Sequence, residues 1–279
     1  MSTSNPSSLP ARYQIRKLTR AHSPWANAIV MHSNAFHSPV WPLLYPTAPT
    51  TLLHDLADAG SYLIDHQIDS GLSYGVFDTE YAFRRPESEK TGGALYWDRN
   101  EPSVLESQGM QAESDRLLEQ MDFPLVSVAL SYDGADPLDM EKMGPMIACL
   151  PAFGTIYGVL GHLDTRDPAS WQPTGPGQVL MRNATSTRHD YEGQGIMAGL
   201  ARWLMREVAA KGYRGIQIET LADAVKHVWG GAQKADPKFR SEVVAEFSME
   251  SWVDEEGTKV FAPATQLTSK VFVHLKEGE

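Results

Sequence analysis

The segment Val179–Thr220 constrains the fold more than any other part of the chain. An apolar run reading as a strand (179–187) leads through a turn holding Gly193 and Gly195 into a long amphipathic helix, which ends near Lys211–Gly212 and hands over to a second strand, Ile216–Gln217–Ile218. Ile196, Leu200, Trp203, Leu204 and Val208 recur at helical spacing, while Arg202, Arg206 and Glu207 fall on the other side, and Gly212 is a natural C-terminal stop. Further on, 222–229 reads as a helix and 243–247 and 270–275 as strands. The order strand, helix, strand, helix, strand, strand implies a mixed α/β (α+β) sheet flanked by helices.

The N-terminal half is more broken. A polar arm over 1–11 precedes a first strand at 13–18, helices are expected over 25–36 and 50–67, and the four prolines of 37–49 imply a loop between them. Strands are expected at 72–78, 94–98 and 123–132, and helices at 113–121 and over 136–163, with interruptions at Pro145 and Pro151. The expected organisation is one domain over 12–279, enlarged in its N-terminal and central region and carrying loop insertions at 85–120 and 165–177. Thirty-five acidic against 24 basic residues give a net charge of -11, which disfavours nucleic acid and anionic membrane surfaces as partners. A single cysteine, no apolar leader and no run near the roughly 18 apolar residues of a membrane span lead to an expectation of a cytoplasmic protein.

Chemistry concentrates at Arg188-His189-Asp190-Tyr191-Glu192-Gly193-Gln194-Gly195-Ile196-Met197-Ala198. Glycines at a strand-to-helix join give either a plain tight turn or an anion receptor, since the first amides of a helix lack internal acceptors and carry the positive end of its dipole. A Rossmann loop needs G-x-G-x-x-G, and Gly193, Gly195 and Gly199 are spaced one residue too long. The Lys-Ser/Thr pair of a Walker loop is absent.

From HDYEGQGI through the helix to AAKGYRGIQIET, about 40 residues, the sequence resembles the acetyl-CoA motif of the GNAT N-acetyltransferases. That signature reads Arg or Gln, two residues, Gly, one residue, Gly or Ala; Glu192, Gly195 and Met197 take its positions here. The departures set a carboxylate near phosphate charge and a larger side chain where the cofactor approaches. The resemblance implies a GNAT-like fold, amides of Gly193, Gln194, Gly195, Ile196, Met197 and Ala198 around the CoA pyrophosphate, and a pantetheine arm pairing near Ser186 and Thr187. Arg188, Arg202, Arg206 and Lys211 either offset the negative charge or form a solvated face. It further implies acetyl transfer to a primary amine, of a small molecule or of a peptide; the alternative is an acyl-CoA-binding protein with weak transfer.

Such transfer needs an amine without its proton and a stabilised leaving thiolate. In GNAT enzymes a tyrosine often sits in the helix after the second strand, but Ala222–Trp229 has none. His227 is the chemical substitute there, or a surface histidine. Glu219, at a strand end, is the first candidate for a base or an amine-binding carboxylate, and His162 and Asp164 are candidate acceptor-pocket residues or a polar turn. His37 and Tyr45 fall in the proline-broken segment, with packing and loop-fixing as their simpler roles. The nine histidines form no H-x-x-x-H or H-E-x-x-H pair, so no metal is expected.

Overall fold

A computed structural model describes residues 5–276. The strands are β1 (Tyr13–Lys17), β2 (Tyr74–Asp78), β3 (Ala94–Leu95), β4 (Met121–Asp122), β5 (Leu125–Asp133), β6 (Val179–Thr187), β7 (Gly215–Thr220), β8 (Arg240–Ser248) and β9 (Leu267–His274). The helices are α1 (Ser23–His32), α2 (Trp41–Leu44), α3 (Pro49–Ala59), α4 (Ser61–Asp69), α5 (Pro86–Thr91), α6 (Leu105–Glu119), α7 (Met140–Cys149), α8 (Pro151–Leu163), α9 (Pro168–Trp171), α10 (Ile196–Ala210) and α11 (Asp223–Trp229). None of these helices is long and apolar enough to cross a membrane.

Seven strands form one mixed sheet in the order β1-β2-β5-β6-β7-β9-β8, while β3 and β4 pair separately. Every neighbouring pair in the large sheet is antiparallel except β6 and β7, which run parallel through the α10 crossover. Their pairing stops at Arg182–Ile218, so the strands part with Asn183–Thr187 on one side and Glu219–Thr220 on the other. At the same level, Leu130 of β5 opposes Ala184 and Ser131 opposes Arg182, which leaves Asn183 as a bulge with no cross-strand partner. The split and the bulge together open a cavity inside the sheet layer.

Two packed layers hold this opening in place. On one face α10 buries Ile196, Leu200, Leu204, Met205 and Val208, side chains worth about 1.5–3 kcal/mol each as an upper estimate. Its end is a Schellman turn: Gly212, at φ +95°, donates to the Ala209 carbonyl, and Tyr213 donates back to Val208. On the other face α1, α3, α4, α7 and α8 bury Ile29, Leu56, Ile64, Met146 and Ile156 in a second core.

The N-terminal half holds more helix than the sequence implies. The helix expected over 50–67 breaks at Gly60 into α3 and α4, and the proline-rich loop contains α2. The regions 85–120 and 165–177, expected as loop insertions apart from the helix at 113–121, also contain α5 and α9, the expected helix begins earlier as α6, and 94–98 pairs only at Ala94–Leu95. Helix α7 runs through Pro145 because the missing bond would have served the carbonyl of the exposed Glu141, while Met143 and Met146 keep the inner face packed. Residues 1–4 of the expected free arm lie outside the described residues. Asn5–Leu9 is strapped onto α10: Asn5 Nδ2 donates to the Trp203 carbonyl (3.0 Å), Arg206 Nε donates to Asn5 Oδ1 (2.8 Å), and Leu9 packs over Gly199.

Candidate active site

The opening between β6 and β7 leads into a cavity of about 480 Å³, within the size range of small-ligand sites. One wall belongs to a single stretch of chain. Gly193 and Gly195 lie at φ +74° and +73°, the left-handed region open chiefly to glycine, and Gly195 turns directly into α10. Among the described residues, the main-chain amides of Gly193 through Ala198 donate to no protein acceptor. Six adjacent free donors at the positive end of a 15-residue helix suit a phosphate oxygen. Ser186, Thr187, Glu192, Gly193, Gly195, Ile196, Met197 and Ala198 all line the cavity.

Gln194 and Arg188 do not line it. The Gln194 side chain accepts from Tyr13 Oη (2.7 Å) and so pins the turn to β1. Arg188 is buried and points away: it donates to the carbonyls of Met121 (3.0 Å) and Phe123 (2.9 Å) and pairs with Asp190 (2.9 Å). Arg206 is bound to the arm and to the Ala235 carbonyl, and Lys211 to Glu207 (3.1 Å). These three cations are thus engaged elsewhere, and the donors at the turn itself are main-chain amides. Glu192 lies 3.1 Å from His189 Nδ1, and the His189 ring stacks on His37 with centroids 3.7 Å apart. His37 Nε2 is 2.8 Å from Ser114 Oγ, and burial, with His189 and His32 adding to it, brings His37 down to about 4, so it stays neutral.

The opposite wall is assembled from distant segments: Val30 and Met31 of α1, the turn Ser33–His37, Trp41, Leu56, Leu63, and Met146, Leu150, Phe153 and Tyr157 of α7 and α8. Glu219 stands between the walls, one residue beyond the last β6–β7 pair. Burial is the largest influence on it and, only partly offset by Lys270, raises its carboxyl to about 7. Gln217 Nε2 donates to it at 3.3 Å, and the same amide's oxygen accepts from Arg166 (3.1 Å).

The four carboxylate and histidine candidates are thus separated. Glu219 alone lines the cavity. Asp164 is closed off by Arg166 (2.6 Å) and Lys270 (2.9 Å), which hold its carboxyl well below the ordinary range against the opposing effect of burial. It is shared there between two cations, one of which, Lys270, pairs with Glu219 across β7 and β9. His162 is exposed because Ile156 and Leu160 turn the other side of α8 inward. His227 is exposed on α11, 3.4 Å from Lys234 over a shallow surface depression away from Glu219. Tyr45 has the loop-fixing role, accepting from the Ala152 amide at 3.0 Å.

Sequence reading missed Tyr157 and Asn183. Asn183 Nδ2 donates to Tyr157 Oη (3.1 Å) beside Glu219, and burial, with Glu219 adding to it, raises the tyrosine far above its usual range. A signal existed in α8, PAFGTIYGVLGHL, where Phe153 and Tyr157 stand one turn apart on a glycine-rich helix.

No protein-family model and no curated protein sequence matches the chain. Solved structures do. The C-terminal condensation domain of Ebony, in complex with beta-alanyl-dopamine, is similar at 14% identity over 93% of this chain and 97% of that one, with a TM-score of 0.62. Arylalkylamine N-acetyltransferase 2 from Aedes aegypti is similar at 10% identity over 95% and 99%, with a TM-score of 0.56. The fold is the GNAT fold. Within it, the free amides of 193–198 and the parted strands occupy the segment whose sequence resembles the acetyl-CoA motif.

Proposed function

We propose that this GNAT-fold chain transfers the acetyl group of acetyl-CoA to the primary amine of a small molecule with an apolar body. The observation that carries the reading is one cavity lined by the turn that holds the six free amides of 193–198 and by a half-buried carboxylate, Glu219, where β6 and β7 part. Pyrophosphate oxygens would accept from those amides at roughly 1.5–3 kcal/mol per charge-assisted hydrogen bond, enough to outweigh the exposed Glu192. The pantetheine arm would run along Asn183–Thr187 toward the split. Solved structures of the same fold whose names specify arylalkylamine acetylation support the amine class.

An alkyl ammonium near pKa 10.4 is neutral only about one part in a thousand at physiological pH. Glu219, raised to about 7, is poised to accept its proton. The nitrogen then attacks the thioester carbonyl, the C–N bond forms and the C–S bond breaks; the second proton, lost from nitrogen as the adduct collapses, comes to rest on sulfur, and Glu219 returns the first to solvent. No covalent enzyme intermediate is required. Val30, Met31, Trp41, Leu56 and Phe153 around one carboxylate favour a monoamine over a polyamine, which would bring further cations into an apolar wall.

Calorimetric titration with acetyl-CoA, followed by thiol release over arylalkylamines, polyamines and peptide N-termini, tests the reading. Turnover highest with arylalkylamines is expected. Binding without turnover on any amine would favour an acyl-CoA-binding protein, and turnover confined to peptides would move the acceptor class.

A further inference from the structure

Within the acetyl-transfer reading, we propose that Tyr157 is a catalytic residue whose hydroxyl donates a hydrogen bond to the departing CoA sulfur. The position expected for a thiolate donor, the helix after β7, holds no tyrosine. The cavity supplies one from another element.

Asn183 Nδ2 donates to Tyr157 Oη at 3.1 Å, which occupies one of its lone pairs. Among the described residues, nothing accepts the phenolic proton. That proton is free to serve a ligand in the cavity, which Tyr157, Asn183 and Glu219 all line. The ring is fixed by Phe153, with centroids 4.5 Å apart, so the hydroxyl has little freedom to leave. Asn183 is also the bulged residue at the point where β6 leaves β7, and an arm that follows Thr187 back to Asn183 ends there. The thioester is thereby brought beside the hydroxyl that Asn183 orients, with Glu219 across the gap.

Chemistry defines the form of the help. Burial, with Glu219 adding to it, holds the Tyr157 phenol far above its usual range, whereas a thiol titrates near 8.5. Complete proton transfer from this phenol to a thiolate is uphill, so Tyr157 keeps its proton and stabilises the developing charge as a donor. The balance is closed by the amine, which gives up two protons: the ammonium proton passes to Glu219 and from there to solvent, and the proton lost from nitrogen as the tetrahedral adduct collapses passes through water to sulfur, while the phenol ends as it began.

The test compares wild type with Tyr157→Phe, which retains the ring and its packing, and with Asn183→Leu, which removes the orienting donor. Turnover should fall about 10- to 100-fold in Tyr157→Phe, the range for removing a hydrogen bond to a developing charge, with KM for acetyl-CoA changed less than about twofold. Asn183→Leu should show a smaller fall. A second measurement needs no turnover: the ultraviolet absorbance of the thiolate in bound CoA, titrated against pH, should show a higher thiol pKa in Tyr157→Phe than in wild type. An unchanged thiol pKa, or a loss confined to a raised KM for the amine, overturns the assignment. A Tyr157-dependent thiol pKa in a protein that acetylates no amine would retain the hydroxyl–sulfur contact and overturn the acetyl-transfer reading instead.

Discussion

The two walls of the cavity are built in opposite ways. The wall carrying 193–198 comes from one contiguous segment and offers main-chain amides, so its chemistry depends on two glycine conformations and a helix axis. The facing wall collects side chains from α1, the Ser33–His37 turn, α7, α8 and the end of β7, so its chemistry depends on which side chains long-range packing brings together. A backbone receptor tolerates changes in side-chain identity, so on the proposed reading Glu192 and Met197 depart from the GNAT signature without removing the amides. A side-chain receptor does not.

The largest effect that can break this comparison is at Glu219. Glu219→Gln keeps shape but removes the charge, and turnover should fall about 100-fold while acetyl-CoA affinity stays within about twofold. Wild-type turnover in this variant would remove Glu219 from the chemistry. The same substitution should stabilise the protein. A half-buried carboxyl raised from 4.5 to about 7 binds its proton more tightly folded than unfolded, so stability falls as pH rises from about 4.5 to 7 and stays lowered above that. At 1.36 kcal/mol per pKa unit the cost is about 3 kcal/mol as an upper estimate. Thermal melts should therefore show a higher Tm for Glu219→Gln at pH 8 and convergence with wild type near pH 4; equal melting at pH 8 would contradict the burial of this charge.

Gly195→Asp attacks the other wall. No atom lies within 4 Å of a Cβ added there, so the damage comes from forcing φ +73° on a side-chain residue and from a negative charge among the free amides. Acetyl-CoA should bind at least tenfold more weakly, about 1.4 kcal/mol by calorimetry. Unchanged affinity in a folded variant would refute the amide receptor.

Asp164→Asn sharpens the comparison from behind. It leaves Lys270 and Arg166 without their shared carboxylate beside Glu219, and nearby cations favour the ionised form. The acidic limb of the rate profile should move down by roughly one pH unit. A limb that stays in place would show that Asp164 does not tune Glu219. The smallest effect is expected at the exposed Glu192: Glu192→Gln should tighten acetyl-CoA about two- to threefold at low salt and have no effect at high salt, because exposed charges are screened within about 10 Å at 0.1 M. Weaker binding would mean that its pairing with His189 positions the turn.

The same contrast explains what could be read from the sequence. Val179–Thr220 was legible because its strand, glycine turn, helix and Schellman stop are local signals, and Glu219 was legible as the strand end that follows from them. Tyr157 and Asn183 were not, because the bulge that exposes Asn183 arises from a register shift against Leu130–Ser131, some 50 residues away in the chain. Arg188 looked available for phosphate until the carbonyls of Met121, in the two-residue strand β4, and of Phe123 just after it claimed its guanidinium. Asp164 and His162 lie two residues apart in sequence near the site, yet one is closed off by Arg166, two residues on, together with Lys270 of the distant β9, and the other lies on the outer face of α8.

The central claim, that a carboxylate between the two walls takes the proton of an incoming amine, is tested most directly by the pH dependence of kcat/KM for 2-phenylethylamine with saturating acetyl-CoA. If Glu219 accepts that proton, the wild-type rate should rise with pH to a plateau beginning near 7, since ammonium ion and carboxylate then coexist up to the titration of the amine. Glu219→Gln should show no plateau, its rate climbing about tenfold per pH unit toward the pKa of the amine itself, near 10. Coincident profiles for the two proteins would contradict the account.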